Sequence, residues 1–426
     1  MSEYGELKRR LAQGWNTWNT RSVLSHVLLP EGFALNLALK EYTRGHYLKE
    51  ALIGRQGEEV ERIEPGPRSY DGRYTELRLA WKGIDILVQS MAEGDDLALL
   101  VTPFSRQTRT ALLVVEAGLL WNRSGYVASE GVGISGRMPG RTVTVRSTCE
   151  SVPEPYVAAQ TPYLALPLEG PIGITAGRER PLQEIQTLAA ACRADQQATH
   201  AAFGDLADVH AAIQTAMAWD TVYEPLKDRV LSPVSRIWNC NAGGYRLFCW
   251  DNYFAAYLAS IDNKDIAYAN AIEITREKTE AGFVPNFATA TGCVSRDRSQ
   301  PPVGSLVVRE LYRRFRDRWL LEELFEDLLT WNRWWLAHRC SQGLLSWGSD
   351  PYEPAVGDYW ESTGVGERFG AALESGLDNS PMYDDIPFNH ALHQMELADV
   401  GLNGMYIADC HALADIATVL DRQPEA

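Results

Sequence analysis

The hydrophobic period of this 426-residue chain changes near residue 186, and no other feature constrains the fold as much. Before that point, short apolar runs are separated by turn signals, at 22–29, 33–42, 75–80, 84–88, 97–101, 110–115 and 141–147. Thr142-Val143-Thr144-Val145 alternates as a half-buried strand must, because successive side chains point to opposite faces of a sheet. Lys82-Gly83 before Ile84, and Gly94-Asp95-Asp96 before Leu97, supply hairpin-turn chemistry. Many short strands at this spacing predict an antiparallel β-sandwich over residues 1–185. After that point apolar residues recur three and four apart: Leu188, Ala191, Cys192, Ala198, Ala201, Ala202, Leu206 and Val209 lie in one such stretch, 182–218. Further helical patterns cover 253–260, 266–278, 303–312, 319–337 and 397–420. Helices alternating with polar, aromatic loops predict an all-helical second domain over 186–426, whose loops can converge on one mouth. Two domains also suit the length, which exceeds what one ordinary core accommodates.

Charge and motif content exclude several functions. A net charge of −16 argues against nucleic acid or an anionic membrane as partner. The opening Met1-Ser2-Glu3-Tyr4 runs into Lys8-Arg9-Arg10 without an apolar segment, and no run of about eighteen apolar residues follows anywhere, so a cytoplasmic protein is expected. Seven scattered cysteines (149, 192, 240, 249, 293, 340 and 410) form no Cys-x-x-Cys pair, and there is no His-Glu-x-x-His. Neither a disulfide framework nor a zinc site is expected, and His390, His393 and His411 lack the acid or cysteine spacing of a metal site. Without a Gly-x-Ser-x-Gly elbow, a Walker loop or a dinucleotide fingerprint, no cofactor is expected. In Gly14-Trp15-Asn16-Thr17-Trp18-Asn19 the indoles and amides suit either stacking on a sugar or pinning of the first strand, and pinning is favoured. His26 and His46 are expected to be structural.

Four stretches carry chemistry. Glu374-Ser375-Gly376-Leu377-Asp378-Asn379-Ser380-Pro381 places two carboxylates four residues apart around a glycine, with a proline that discourages helix. Taken alone it is either a surface turn or a loop holding Asp378 in a cleft. Trp250-Asp251-Asn252-Tyr253-Phe254 offers an indole face and a carboxylate for sugar hydroxyls, or else a core Trp beside a helix-capping Asp. Asp297-Arg298-Ser299-Gln300-Pro301-Pro302 is a proline-stiffened loop. In it Gln300 can donate and accept at once, while Arg298 either meets a ligand or ties the loop to Asp297 or Asp350. Gly343-Leu344-Leu345-Ser346-Trp347-Gly348-Ser349-Asp350-Pro351 adds another Trp-Gly pair. Trp331, Trp334 and Trp335 share one long helical pattern, and core packing is expected for at least two of them.

Together and in this order, the four stretches resemble the catalytic domain of glycoside hydrolase family 63 and its mannosylglycerate-hydrolase-like relatives, with family 37 trehalases as more distant kin. The resemblance covers roughly residues 235 to 390. It implies an (α/α)6 barrel and an inverting α-glycosidase in which Asp378 is the general acid. It places Trp250, Asp251, Arg298, Gln300, Trp347, Glu374 and Asn379 around the substrate; Glu374 either raises the pKa of Asp378 by its charge or hydrogen-bonds the loop backbone or a sugar hydroxyl. The implied substrate is an α-linked glucoside or mannoside, either an oligosaccharide or a small glycoside such as a mannosylglycerate or glucosylglycerate. A six-hairpin barrel at about 35–40 residues per hairpin needs well over 400 residues once its loops are included. Only about 240 follow residue 185, and nothing after Leu397 matches the loop that bears the family's general base. The expectation is therefore the first part of a barrel, lacking its base. The alternatives are a trehalase-like hydrolase or an inverting phosphorylase on the same barrel, or a non-catalytic carbohydrate-binding protein.

Overall fold

The structure is a computed structural model and describes residues 2–104, 110–237, 244–352 and 364–422. Cys240, Gly243 and the terminal 423–426 lie outside the described residues. The chain divides into two compact units, Lys8–Asp228 and Met1–Leu7 with Arg229–Ala426.

The first unit is built from two antiparallel sheets. One has the order β1 (Gly14–Asn16), β2 (Ser25–Leu29), β3 (Phe33–Glu41), then β9 (Ala111–Leu119) and β13 (Tyr163–Pro167), with β4 (Tyr47–Leu48) also on β3. The other begins β10 (Tyr126–Glu130), β11 (Gly133–Met138), β12 (Arg141–Ser147), β14 (Ile172–Ala176) and β8 (Asp96–Pro103). It continues through β7 (Ile84–Glu93) and β6 (Tyr74–Trp81) to β5 (Arg62–Arg68). Inward residues of both sheets, among them Leu35, Leu37, Val115, Leu79, Val88, Leu99, Val145 and Ile174, form one core. The Lys82-Gly83 hairpin takes its turn with both residues at positive φ, as a two-residue turn matching the twist of β6 and β7 requires. Trp15 packs edge-on against Phe33 and donates its indole N–H to the Asp95 carbonyl. Trp15 and Trp18 are both buried, so this pair pins the sheet edge and offers no sugar a face.

The helical pattern over 182–218 forms two helices, α2 (Leu182–Ala201) and α3 (Ala207–Asp220), separated at Gly204 with its φ of +57°. Both stay with the sheets. Ile185 and Ala189 of α2 pack on Tyr74, Met91, Ala98 and Leu100, which form an outward face of the eight-stranded sheet. Trp219 of α3 joins the core and bonds the Gly66 carbonyl. Secondary structure thus changes near 182, whereas the compact unit changes at Asp228/Arg229. An outward sheet face with its own apolar residues needs a cover, and these helices supply it.

In the second unit α4 (Cys249–Ala259), α5 (Lys264–Thr275), α6 (Gly304–Phe315), α7 (Arg318–Arg339) and α9 (Val400–Val419) pack on one another, and the short α8 (Arg368–Glu374) precedes the Asp378 loop. Asn263 caps α5 by accepting the Ile266 N–H at 2.9 Å. Asp399 caps α9 through the N–H groups of Gly401 and Leu402, and its other oxygen accepts Trp347 Nε1–H at 2.9 Å and the Tyr383 hydroxyl at 3.1 Å. Trp331, Trp334 and Trp335 are all buried.

Between α6, α7 and α9 lies one buried carboxylate, Asp409, which accepts from Ser305 N–H at 3.0 Å and Asn332 Nδ2–H at 2.9 Å. Burial outweighs these bonds and pushes its pKa up to about 6. A pKa raised in the folded state means that the folded form binds the proton more tightly, so the associated stability is present below about pH 4 and lost as pH rises through 6. We expect the helical unit to lose up to about 3 kcal/mol between pH 4 and 7 from this group. Urea denaturation followed by circular dichroism at a series of pH values should show that slope flattened in Asp409→Asn.

Candidate active site

The site starts from the N-terminus of α4, whose first N–H groups need acceptors that Phe248, the residue before the helix, cannot offer. Arg246–Phe248 pairs antiparallel with Phe287–Thr289, which brings the Asn286 carbonyl to Cys249 N–H at 3.1 Å. Gln300 accepts the Trp250 N–H through its side-chain oxygen at 3.2 Å. The 297–300 loop is held alongside by Asn286 N–H to the Arg298 carbonyl at 3.1 Å and by Ser299 Oγ–H to the Val284 carbonyl at 2.6 Å.

The Asp378 loop approaches from α8. Gly376 has a φ of +71°, and a Cβ there would stand 2.6 Å from Cζ2 of Trp250, so both backbone conformation and contact demand glycine. Beyond it, Ser380 and Pro381 start a short 3₁₀ turn over Pro381–Tyr383. The result is a cavity of about 210 Å³ with Asp378 and Asn379 on one wall. Arg246, Phe248, Asn286 and Phe287 form a second wall, Arg298 and Gln300 a third, and Phe369 and Leu373 of α8 complete the lining.

Asp378 is exposed at the rim, yet desolvation by its surroundings raises its pKa, while its own backbone N–H and the Arg298 charge pull the other way. Asp251 is half-buried in the first turn of α4; desolvation raises its pKa most, and the charge of Asp378 adds to it. The two carboxylates therefore sense each other. Trp250 is half-buried, with Gly376 against its ring edge. Arg298 is buried, bonded through Nη1 to Asp297 Oδ2 at 2.6 Å, and its Nε–H has no partner among the described residues. It both ties the loop and lines the cavity.

Two expected substrate contacts are corrected. Trp347 is 2% exposed, donates to Asp399 and packs edge-on against Trp335, so it is a core residue and not a pocket wall. Glu374 is 0% exposed, with both oxygens occupied by Ser299 N–H, Gly348 N–H and Arg339. It can reach no sugar hydroxyl. Nor does its charge raise Asp378, whose shift comes from desolvation, because Arg339 neutralises Glu374 at 2.8 Å. The close approach allowed by Gly348 is to the Arg339 guanidinium and the His393 carbonyl. Asp350 likewise pairs with Arg339 and leaves Asp297 to Arg298.

Six lining residues carry no motif in the sequence reading: Arg246, Phe248, Asn286, Phe287, Phe369 and Leu373. Val284-Pro285-Asn286-Phe287, a Pro-Asn turn signal between two helical patterns, is the one local hint, since such loops present polar groups at helix ends. Arg246-Leu247-Phe248 alternates as a strand does, but over three residues that signal is too short to read.

An Asp of raised pKa at the rim of a cavity walled by aromatic, amide and guanidinium groups suits work on a polyhydroxylated substrate, and residues 244–426 match a known family. The match is to the mannosylglycerate hydrolase MGH1-like glycoside hydrolase domain, and this part of the chain is similar to that domain. Among solved structures, the chain is similar to an uncharacterized conserved protein from Thermus thermophilus at 21% identity, covering 42% of this chain and 52% of that one, with a TM-score of 0.33. It is also similar to a GH63 mannosylglycerate hydrolase from the same organism at 19% identity, covering 42% and 54%, with a TM-score of 0.32. A third, the GH92 family glycosyl hydrolase ccman5, matches at 13% identity over 99% of this chain and 62% of its own, with a TM-score of 0.36. The chain spans about half the length of the first two. No curated protein matches it.

Proposed function

We propose that the helical unit carries the acid side of an inverting glycosidase, on what would be part of an (α/α)6 barrel, with Asp378 protonating the departing glycosidic oxygen. The observation that carries this reading is the raised pKa of Asp378 at the rim of the cavity. A general acid must hold its proton near neutral pH, and desolvation is the means. Trp250, Asp251, Gln300 and Asn379 would hold the sugar by indole contact and hydroxyl hydrogen bonds. Inversion also requires a carboxylate that activates water, about 6.5–9.5 Å from the acid. Asp378 is the one carboxylate among the described residues lining the cavity, so that base is proposed to come from elsewhere.

A small α-glucoside or α-mannoside with a carboxylate-bearing aglycone is the favoured substrate, because Arg246 and Arg298 both line the cavity. The net charge of −16 opposes an anion only at long range, and salt screens charges beyond about 8 Å. The matched family is named for mannosylglycerate hydrolase, whose substrate belongs to that class, which supports this reading. The test is a panel of α-linked disaccharides and glycerate glycosides with product anomers followed by NMR from the first minutes. Release of the β-anomer is expected. An α-anomer would refute inversion, and phosphate-dependent release of a sugar phosphate would instead make the protein a phosphorylase.

A further inference from the structure

We propose that Arg339 and Glu374 are the positioning pair of this site, a buried two-charge clamp that sets where Asp378 stands; the inference rests on the reading of Asp378 as the acid. Glu374 is the last residue of α8 and lies four residues before Asp378. One of its oxygens accepts Ser299 N–H at 3.0 Å; the other accepts Gly348 N–H at 2.6 Å and Arg339 Nε–H at 2.8 Å. Arg339 is the last residue of α7, and its remaining nitrogens reach the Asp297 carbonyl at 3.0 Å and Asp350 Oδ1 at 3.0 Å. Three segments distant in sequence are thereby joined at one point.

The joined segments are those that carry the site. Ser299 lies between Arg298 and Gln300, and Glu374 follows Leu373; all three neighbours line the cavity. On the far side of Glu374, the loop is held again where Gly376 meets Trp250. Asp378 thus follows two fixed points, one ionic and one steric. The planar fork of arginine suits this task because it directs several N–H bonds at once, which a lysine point charge cannot do. Gly348 fits the same geometry: a Cβ there would stand 2.7 Å from Arg339 Nε. Both charged side chains are 0% exposed, a burial that costs desolvation and is justified where geometry must be fixed. If the clamp holds the loop in place, it also preserves the desolvation that keeps Asp378 protonated.

The test compares Glu374→Gln and Arg339→Lys with the unaltered chain, and with Glu326→Gln, which removes a surface partner of Arg422, as control. Glu374→Gln is expected to lower kcat by about 10²-fold with KM within threefold, since small misplacement of a catalytic group acts on turnover more than on binding. The basic limb of its pH profile should move to lower pH, and Asp378 followed by carboxyl NMR should titrate lower as the loop becomes solvated. Amide hydrogen exchange at Ser299 and Gly348 should quicken with far-UV circular dichroism unchanged. Arg339→Lys should change the same readouts in the same direction but less, and it serves as the second variant if Glu374→Gln does not fold. A folded Glu374→Gln or Arg339→Lys with unchanged exchange at Ser299 and Gly348, or an unshifted Asp378 titration, overturns the proposal. Exchange and titration need no turnover, so a chain that hydrolyses nothing on the panel would defeat the glycosidase reading and still leave the clamp decided.

Discussion

Asp378→Asn is expected to lower kcat/KM on an unactivated α-glycoside by about 10²- to 10⁴-fold, the usual contribution of a positioned general acid. The amide keeps the size of the carboxyl and can still bond to a hydroxyl, so substrate affinity should change little. With a glycosyl fluoride, whose leaving group needs little protonation, the same variant should lose far less. That contrast separates an acid from a residue that only binds. The pH dependence has a definite sign: desolvation raises Asp378, so its proton is retained to higher pH than an ordinary aspartate allows, and the basic limb of kcat/KM follows that group. In Asp378→Asn the limb should vanish. Equal losses on both leaving groups, with the limb intact, would remove Asp378 from the acid role.

Arg339→Met is expected to destabilise the helical unit by about 3–5 kcal/mol, because it leaves the Glu374 charge buried without its counter-ion. Asp350 loses a partner too, but it is partly exposed and water can replace the guanidinium. Combining Arg339→Met with Glu374→Leu removes both charges and should recover part of the loss. Recovery stays incomplete since the buried N–H groups of Ser299 and Gly348 then lack an acceptor. Chemical denaturation of the two single variants and the double variant measures this coupling directly. An Arg339→Met variant within about 1 kcal/mol of the parent would show that Glu374 is not left as an uncompensated buried charge and would overturn the prediction.

Much of the architecture can be read locally. Strands such as Phe33–Glu41 and Ile84–Glu93 have dense apolar residues next to strong turn signals, and helices such as Arg318–Arg339 have a clear helical stripe. Strand Arg62–Arg68 escapes such reading because Pro65 and Gly66 interrupt it; it forms at a sheet edge with a register shift between Pro65 and Arg68. The 126–138 hairpin escapes for a related reason, being rich in glycine and partly exposed. The helices after residue 182 are legible as helices. Their docking on the sheet is not, since that depends on which apolar sheet face remains uncovered.

The same division runs through the site. The Gly376 turn, the cluster of acids and amides, and the proline-stiffened loop follow from residue types at short spacing, because backbone sterics and side-chain chemistry act over a few residues. Which carboxylate faces the cavity and which is sealed beneath it depends on partners far along the chain. Glu374 and Asp378 are four residues apart and chemically alike. One meets an arginine 35 residues away and is shut from water. The other forms no ion pair among the described residues and stays at the rim. Burial and charge pairing are properties of the assembled chain, and so no local pattern can assign them.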